Sequence, residues 1–161
     1  MTLEELQKRV RVLQDIEEIK KMHRNYIFCL SNLQWEEMID CFAEIATVEI
    51  AVHGVLGEYD IGKGKEQIAK ILRDVIGKRA LEIRPKGGHI LIQPIITIEG
   101  DTAIGQWMMS RYIYDLNTTS GGLVPQLSRG LYDCEYVREG GKWKFSYLKW
   151  TQPWPEPESK P

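Results

Sequence analysis

A chain of 161 residues, 43% hydrophobic and 27% charged, is long enough to bury one continuous core and has the balance of an ordinary soluble globular protein. Its net charge of −2 argues against nucleic-acid binding, which calls for a basic face, and no apolar run approaches the ~20 residues of a membrane helix. Cys29, Cys41 and Cys134 are odd in number and unrelated in spacing, and the charged N-terminus lacks the apolar centre of a signal peptide. Both features point to reduced thiols in a cytoplasm.

In chain order, Leu3, Leu6, Val10, Leu13, Ile16, Ile19, Met22 and Tyr26 recur at spacings of three and four, the stripe of a long helix. From Ile16 onward the stripe reads as a helix lying over its own sheet. The charge-rich first turns read either as more of the same helix or as a contact between subunits. "SNLQWEEMIDCFAE" predicts a second helix capped by Ser31 or Asn32, with Trp35, Met38, Ile39 and Phe42 buried. "ATVEIAVHG" alternates and is β-branched, hence a strand. "GEYDIGKG" comes near a phosphate loop, but Gly64 stands where that motif needs Ser or Thr for magnesium; it reads as a glycine turn feeding a third helix, "GKEQIAKILRDVIG".

From Gly87 the period changes to two. Strands are predicted near 88–99, 102–115, 127–138 and 142–152, with turns at "EGD" and "EGG" and a longer loop at "LNTTSGGLVP". "PWPEPESKP" suits neither element. Residues 1–152 therefore read as one domain and 153–161 as a proline-rich tail. Helices followed by antiparallel strands imply an α+β fold, with three N-terminal helices packed on one face of a curved sheet.

His23, His53 and His89 share no i, i+4 spacing and have no paired cysteine nearby, so local spacing assembles no metal site, and no nucleophile elbow is present. No cofactor is called for. Alternation places Trp107, Met109, Arg111 and Ile113 on one strand face, with Met108, Ser110, Tyr112 and Tyr114 on the other. Such a strand is covered on both sides, one cover being the helices and the other a partner subunit or a neighbouring segment. A guanidinium on a covered face needs an anion, from the protein or from a ligand. On the preceding strand, His89, Leu91, Gln93, Ile95 and Thr97 share the mixed face that a ligand cavity wants, and Ile90, Ile92, Pro94, Ile96 and Ile98 share an aliphatic packing face.

"DIEEIKKMHRNYIFCLSNLQWEEMIDCFA", "GKGKEQIAKIL", "HILIQPIITIEGDTAIGQW" and "GLYDCEYVREGGKWKFSYLKW", in that order over about 16 to 150, resemble the SnoaL-like branch of the nuclear transport factor 2-like superfamily. The resemblance implies a cone-shaped α+β barrel around an apolar pocket. Within the superfamily the chain looks most like the dehydratases that act on bile acids and scytalone, which implies pocket roles for Tyr26 and His89. Two positions depart from those enzymes. Ser31 replaces the acidic residue five positions after the tyrosine, and Arg111 replaces the aspartate that would orient the histidine.

Two functions are consistent with this pattern. The first is a lyase or isomerase acting by general acid–base chemistry. His89 would be the base and Tyr26 the donor to a developing oxyanion, with Arg111, Trp107, Met109, Ser31 and Leu91 binding a small apolar or aromatic molecule, in particular a carboxylate. The second is a module that binds a small ligand or joins subunits and has lost the chemistry. By the same resemblance the chain is a homotrimer, as the dehydratases are, or a homodimer.

Overall fold

The computed structural model describes residues 1–52, 57–77, 86–114 and 125–152. His53, most of the predicted "LNTTSGGLVP" loop and the tail 153–161 lie outside the described residues. Helix α1 runs from Leu3 to Ser31. Thr2 opens it with a capping box: its hydroxyl accepts the Glu5 N–H at 3.1 Å and its own N–H donates to the Glu5 carboxylate at 2.7 Å. Only the second half packs on the sheet, burying Ile19, His23, Tyr26, Ile27 and Leu30, whereas Leu3, Leu6, Val10 and Leu13 are exposed.

Helix α2 (Trp35–Asp40) is shorter than predicted. Ser31 and Asn32 do not cap it: Ser31 is the last residue of α1, and Asn32 closes α1 by donating its side-chain amide to the Phe28 carbonyl at 2.8 Å. Phe42 belongs to strand β1 (Phe42–Ala51) because its backbone pairs in parallel with Phe145. It is fully buried, as the helical pattern also required. "GEYDIGKG" is likewise more than a turn. Strand β2 (Tyr59–Lys63) lies within it and pairs antiparallel with β1, and the positive φ angles of Gly57 and Gly64 (83° and 76°) mark its ends. In an extended strand successive N–H groups point to opposite edges, so this segment does not turn them together onto a phosphate. Helix α3 (Gly64–Lys70) follows and widens into a π-type turn over Ile71–Gly77.

Strands β3 (Lys86–Glu99), β4 (Thr102–Tyr114), β5 (Pro125–Glu139) and β6 (Lys142–Thr151) match the period-two reading closely. The sheet order is β2-β1-β6-β5-β4-β3, antiparallel except for β1 beside β6. This is the predicted α+β architecture, three helices on a curved six-stranded sheet. No helix among the described residues is long and apolar enough to cross a membrane.

One prediction about faces fails at the middle of β3. The register slips between Ile92 and Ile95, and Gln93 takes a φ of 51°. Pro94 has no N–H to give the ladder, and β3 is an edge strand, the place where a bulge is tolerated. The two intervening residues reverse the alternation. His89 and Leu91 face inward before the bulge, Ile96 and Ile98 face inward after it, and Ile90, Ile92 and Ile95 are turned out to solvent.

Candidate active site

The inner face of the sheet divides into a closed aromatic core and a more open end. In the core Tyr26, Phe42, Trp107, Tyr132, Tyr136 and Phe145 are all buried and meet mostly edge to face. Tyr26 is 1% exposed, its ring set edge to face against those of Phe42, Tyr132 and Phe145. Burial is the first cause that pushes the Tyr26 phenol far above its ordinary range, so it stays protonated. Trp107 donates its indole N–H to the Tyr136 hydroxyl at 2.8 Å. Tyr26 and Trp107, both expected at the pocket, are thus enclosed in the core.

His23 occupies the centre of this core, and the sequence reading assigned it nothing. It is fully buried, with the Trp107 ring 4.6 Å, Phe145 4.9 Å and Tyr132 5.2 Å from its own. Its Nδ1 lies 3.0 Å from the Tyr136 hydroxyl, while Nε2 has no partner among the described residues. Burial alone drives its pKa down to about 3, so the ring is neutral. A signal for it existed in the sequence. Ile19, His23 and Tyr26 are spaced by four and three, so the buried stripe of α1 passes through the histidine.

At the open end three predicted residues converge from different elements. Ser31 ends α1, and its Oγ lies 3.0 Å from the Nδ1 of His89 on β3. Arg111 on β4 stands directly across the strand pair from His89, and the next inward pair along the ladder is Leu91 with Met109. Met109 is buried; Ser31, His89, Leu91 and Arg111 are half-buried. The His89 pKa is lowered to about 4, first by burial and second by the Arg111 charge. The imidazole is therefore neutral at physiological pH. When Nδ1–H donates to the Ser31 hydroxyl, Nε2 carries the lone pair that a base needs. Ser31 can orient the ring as a carboxylate would, yet it brings no charge to stabilise an imidazolium. No cluster of three or more metal-ligating side chains occurs among the described residues.

With this geometry in place, the chain can be set beside known proteins. It belongs to the SnoaL-like domain family, which matches residues 11–149. Its fold is that of nuclear transport factor 2-like proteins. One from Novosphingobium aromaticivorans, described as having a cystatin-like fold, superposes with a TM-score of 0.72 at 20% identity, covering 94% of this chain and 90% of that one. A candidate scytalone dehydratase from the same organism gives 0.64 at 18%, with 92% and 96% covered. The β subunit of a candidate aromatic-ring-hydroxylating dioxygenase, also from that organism, gives 0.64 at 14%, with 87% and 89% covered. No curated protein matches the sequence. At these identities the neighbours speak for the fold alone.

Proposed function

We propose that the chain is a small-molecule lyase or isomerase in which His89 is the general base and Arg111 holds an anionic group of the substrate. The observation that carries this reading is the placement of a neutral imidazole, fixed by Ser31, directly opposite a guanidinium on the inner face of the sheet. In the reaction, His89 Nε2 takes a proton from the carbon next to a substrate carbonyl. The electron pair moves onto the carbonyl oxygen, and Arg111 stabilises the resulting enolate. Returning the proton to another carbon completes an isomerisation; expelling a group from the neighbouring carbon completes an elimination. Leu91 and Met109 supply the apolar wall. The oxyanion role first expected of Tyr26 passes to Arg111, since Tyr26 is enclosed in the aromatic core.

The electrostatics couple binding to basicity. With its site empty, His89 at about 4 is a poor base for neutral pH. A bound carboxylate offsets the Arg111 charge and raises the imidazole pKa, so the base is strengthened only when substrate is present. The same low basicity favours the second reading, a binding module without chemistry.

Isothermal titration with small aromatic carboxylates and their neutral amides, together with NMR of deuterium exchange at the ligand α-carbon, separates the readings. Carboxylates are expected to bind the wild type, with Arg111→Met costing roughly 10–100-fold, the worth of one charge-assisted hydrogen bond. His89→Gln should keep binding and lose exchange. Equal affinity for amides, or binding indifferent to Arg111→Met, contradicts the anion site. Binding without exchange in the wild type leaves the module.

A further inference from the structure

Among the described residues, two buried side-chain nitrogens lack a hydrogen-bond partner: His23 Nε2 and Trp150 Nε1. The first is sealed in the aromatic core. The second belongs to a half-buried tryptophan on β6 that packs against the core from the inner face of the sheet, and the proposed chemistry does not use it.

A glycine sets the place of this indole. Trp150 pairs across the ladder with Tyr132, yet its ring leans two residues along β5 and lies over Gly130. A Cβ added to Gly130 would collide with Nε1 and stand 2.8 Å from Cε2, so any side chain there pushes the ring away. Gly130 in turn faces Met109 on β4, and Met109 faces Leu91 on β3. The indole N–H therefore lies in the same cross-strand row as the apolar wall of the site. Arg111 is two residues along β4 from Met109, which makes it the diagonal neighbour of Gly130, about 7 Å away across the sheet.

An indole nitrogen can only donate. A buried donor left unpaired costs more than an ordinary hydrogen bond returns, so this one calls for an acceptor. Arg111 draws an anion at one end of the site, and Trp150 offers one donor roughly the span of an aromatic ring away.

We propose that Trp150 is a specificity-determining residue: its indole N–H donates to an acceptor oxygen that the substrate carries across its ring from the anionic group. This rests on the anion site proposed for Arg111 and narrows the substrate class to aromatic carboxylates with a carbonyl, ether or hydroxyl oxygen at the far end. Gly130 is a positioning residue, because it leaves the indole room to reach over the strand.

Calorimetric titration of the full chain with 4-acetylbenzoate and 4-isopropenylbenzoate tests this; the two share a shape, and only the acetyl group carries an acceptor. The wild type is expected to favour the acetyl compound about 5–10-fold, the worth of one neutral hydrogen bond. Trp150→Phe should abolish that preference and keep the preference for carboxylate over amide. A tryptophan that only packs would lower stability when replaced and leave the ratio of the two affinities unchanged. In the wild type, the proton resonance of the Trp150 indole N–H should move downfield with the acetyl compound and not with the isopropenyl one, a reading that holds even if the variant does not fold. Equal affinity for the two benzoates, a preference that survives Trp150→Phe, or an unmoved indole resonance overturns the inference, and a retained preference for carboxylate over amide then leaves the anion site standing. A wild type that binds no carboxylate, or binds amides equally well, overturns the anion site and this inference with it.

Discussion

His23 sits where a charge has no solvation, enclosed by the rings of Trp107, Tyr132 and Phe145. Its pKa falls from 6.5 to about 3 on folding. Between those values the unfolded chain binds a proton that the folded chain refuses. The stability tied to His23 is complete above pH 6.5 and is lost as the pH falls toward 3, at about 1.4 kcal/mol per pH unit. Replacing His23 by Phe should make the fall of stability between pH 6.5 and 4.5 shallower by about that slope, read from urea melts at each pH; an unchanged slope would place the acid sensitivity elsewhere. His89 shifts in the same direction, to about 4, and contributes over a narrower window. The two histidines also mark how much of the site a sequence discloses. Alternation put His89 on the mixed face of β3 and Arg111 beside Trp107 on a covered face of β4, and the structure pairs the two across the strands. His23 escaped because a histidine in an apolar stripe adds nothing to the apolar count, although its spacing from Ile19 and Tyr26 is that of a core position.

Among the elements, α1 is held to the sheet by a polar clasp at its middle. Arg138 on β5 ion-pairs with Asp15, bonds Asp101 in the β3–β4 turn at 3.1 Å, and lies over the Trp143 ring at 4.6 Å. Trp143 in turn donates to Asp15 at 3.3 Å. Asp15 is buried, so removing it strands a cation and an indole N–H. Asp15→Ala should cost about 2–3 kcal/mol in urea unfolding, below the full penalty for breaking a buried pair because Arg138 keeps Asp101 and Glu18. A loss under about 0.5 kcal/mol would show that the clasp is a surface ornament. Such a tertiary partnership cannot be read from a chain in which Asp15 and Arg138 are simply two of many charges. The β3 bulge shows a similar limit. Period two located the strand, but a bulge at Gln93–Pro94 inverts every face beyond it, so Ile95 and Thr97 went to the wrong side. Strand β2 was hidden because its short five residues lie between two glycines that read as a turn.

For the whole molecule, the family membership and the neighbouring structures agree with a fold that was already legible, because helices and strands are segregated along the chain and each carries a clean period. What the fold does not choose is chemistry: similar structures include both a candidate dehydratase and a β subunit of a candidate dioxygenase. The proposed choice rests on the residues around His89. In the proposed function, Ser31 and Arg111 bring no negative charge to His89, and an anionic substrate would strengthen it as a base. That coupling is the central claim, and one measurement addresses it: the pKa of His89 followed by NMR of its imidazole, with and without a saturating small aromatic carboxylate. The account predicts a value near 4 in the free protein that rises by more than one unit with the carboxylate, and no rise in Arg111→Met. A His89 that titrates identically in both states would contradict it.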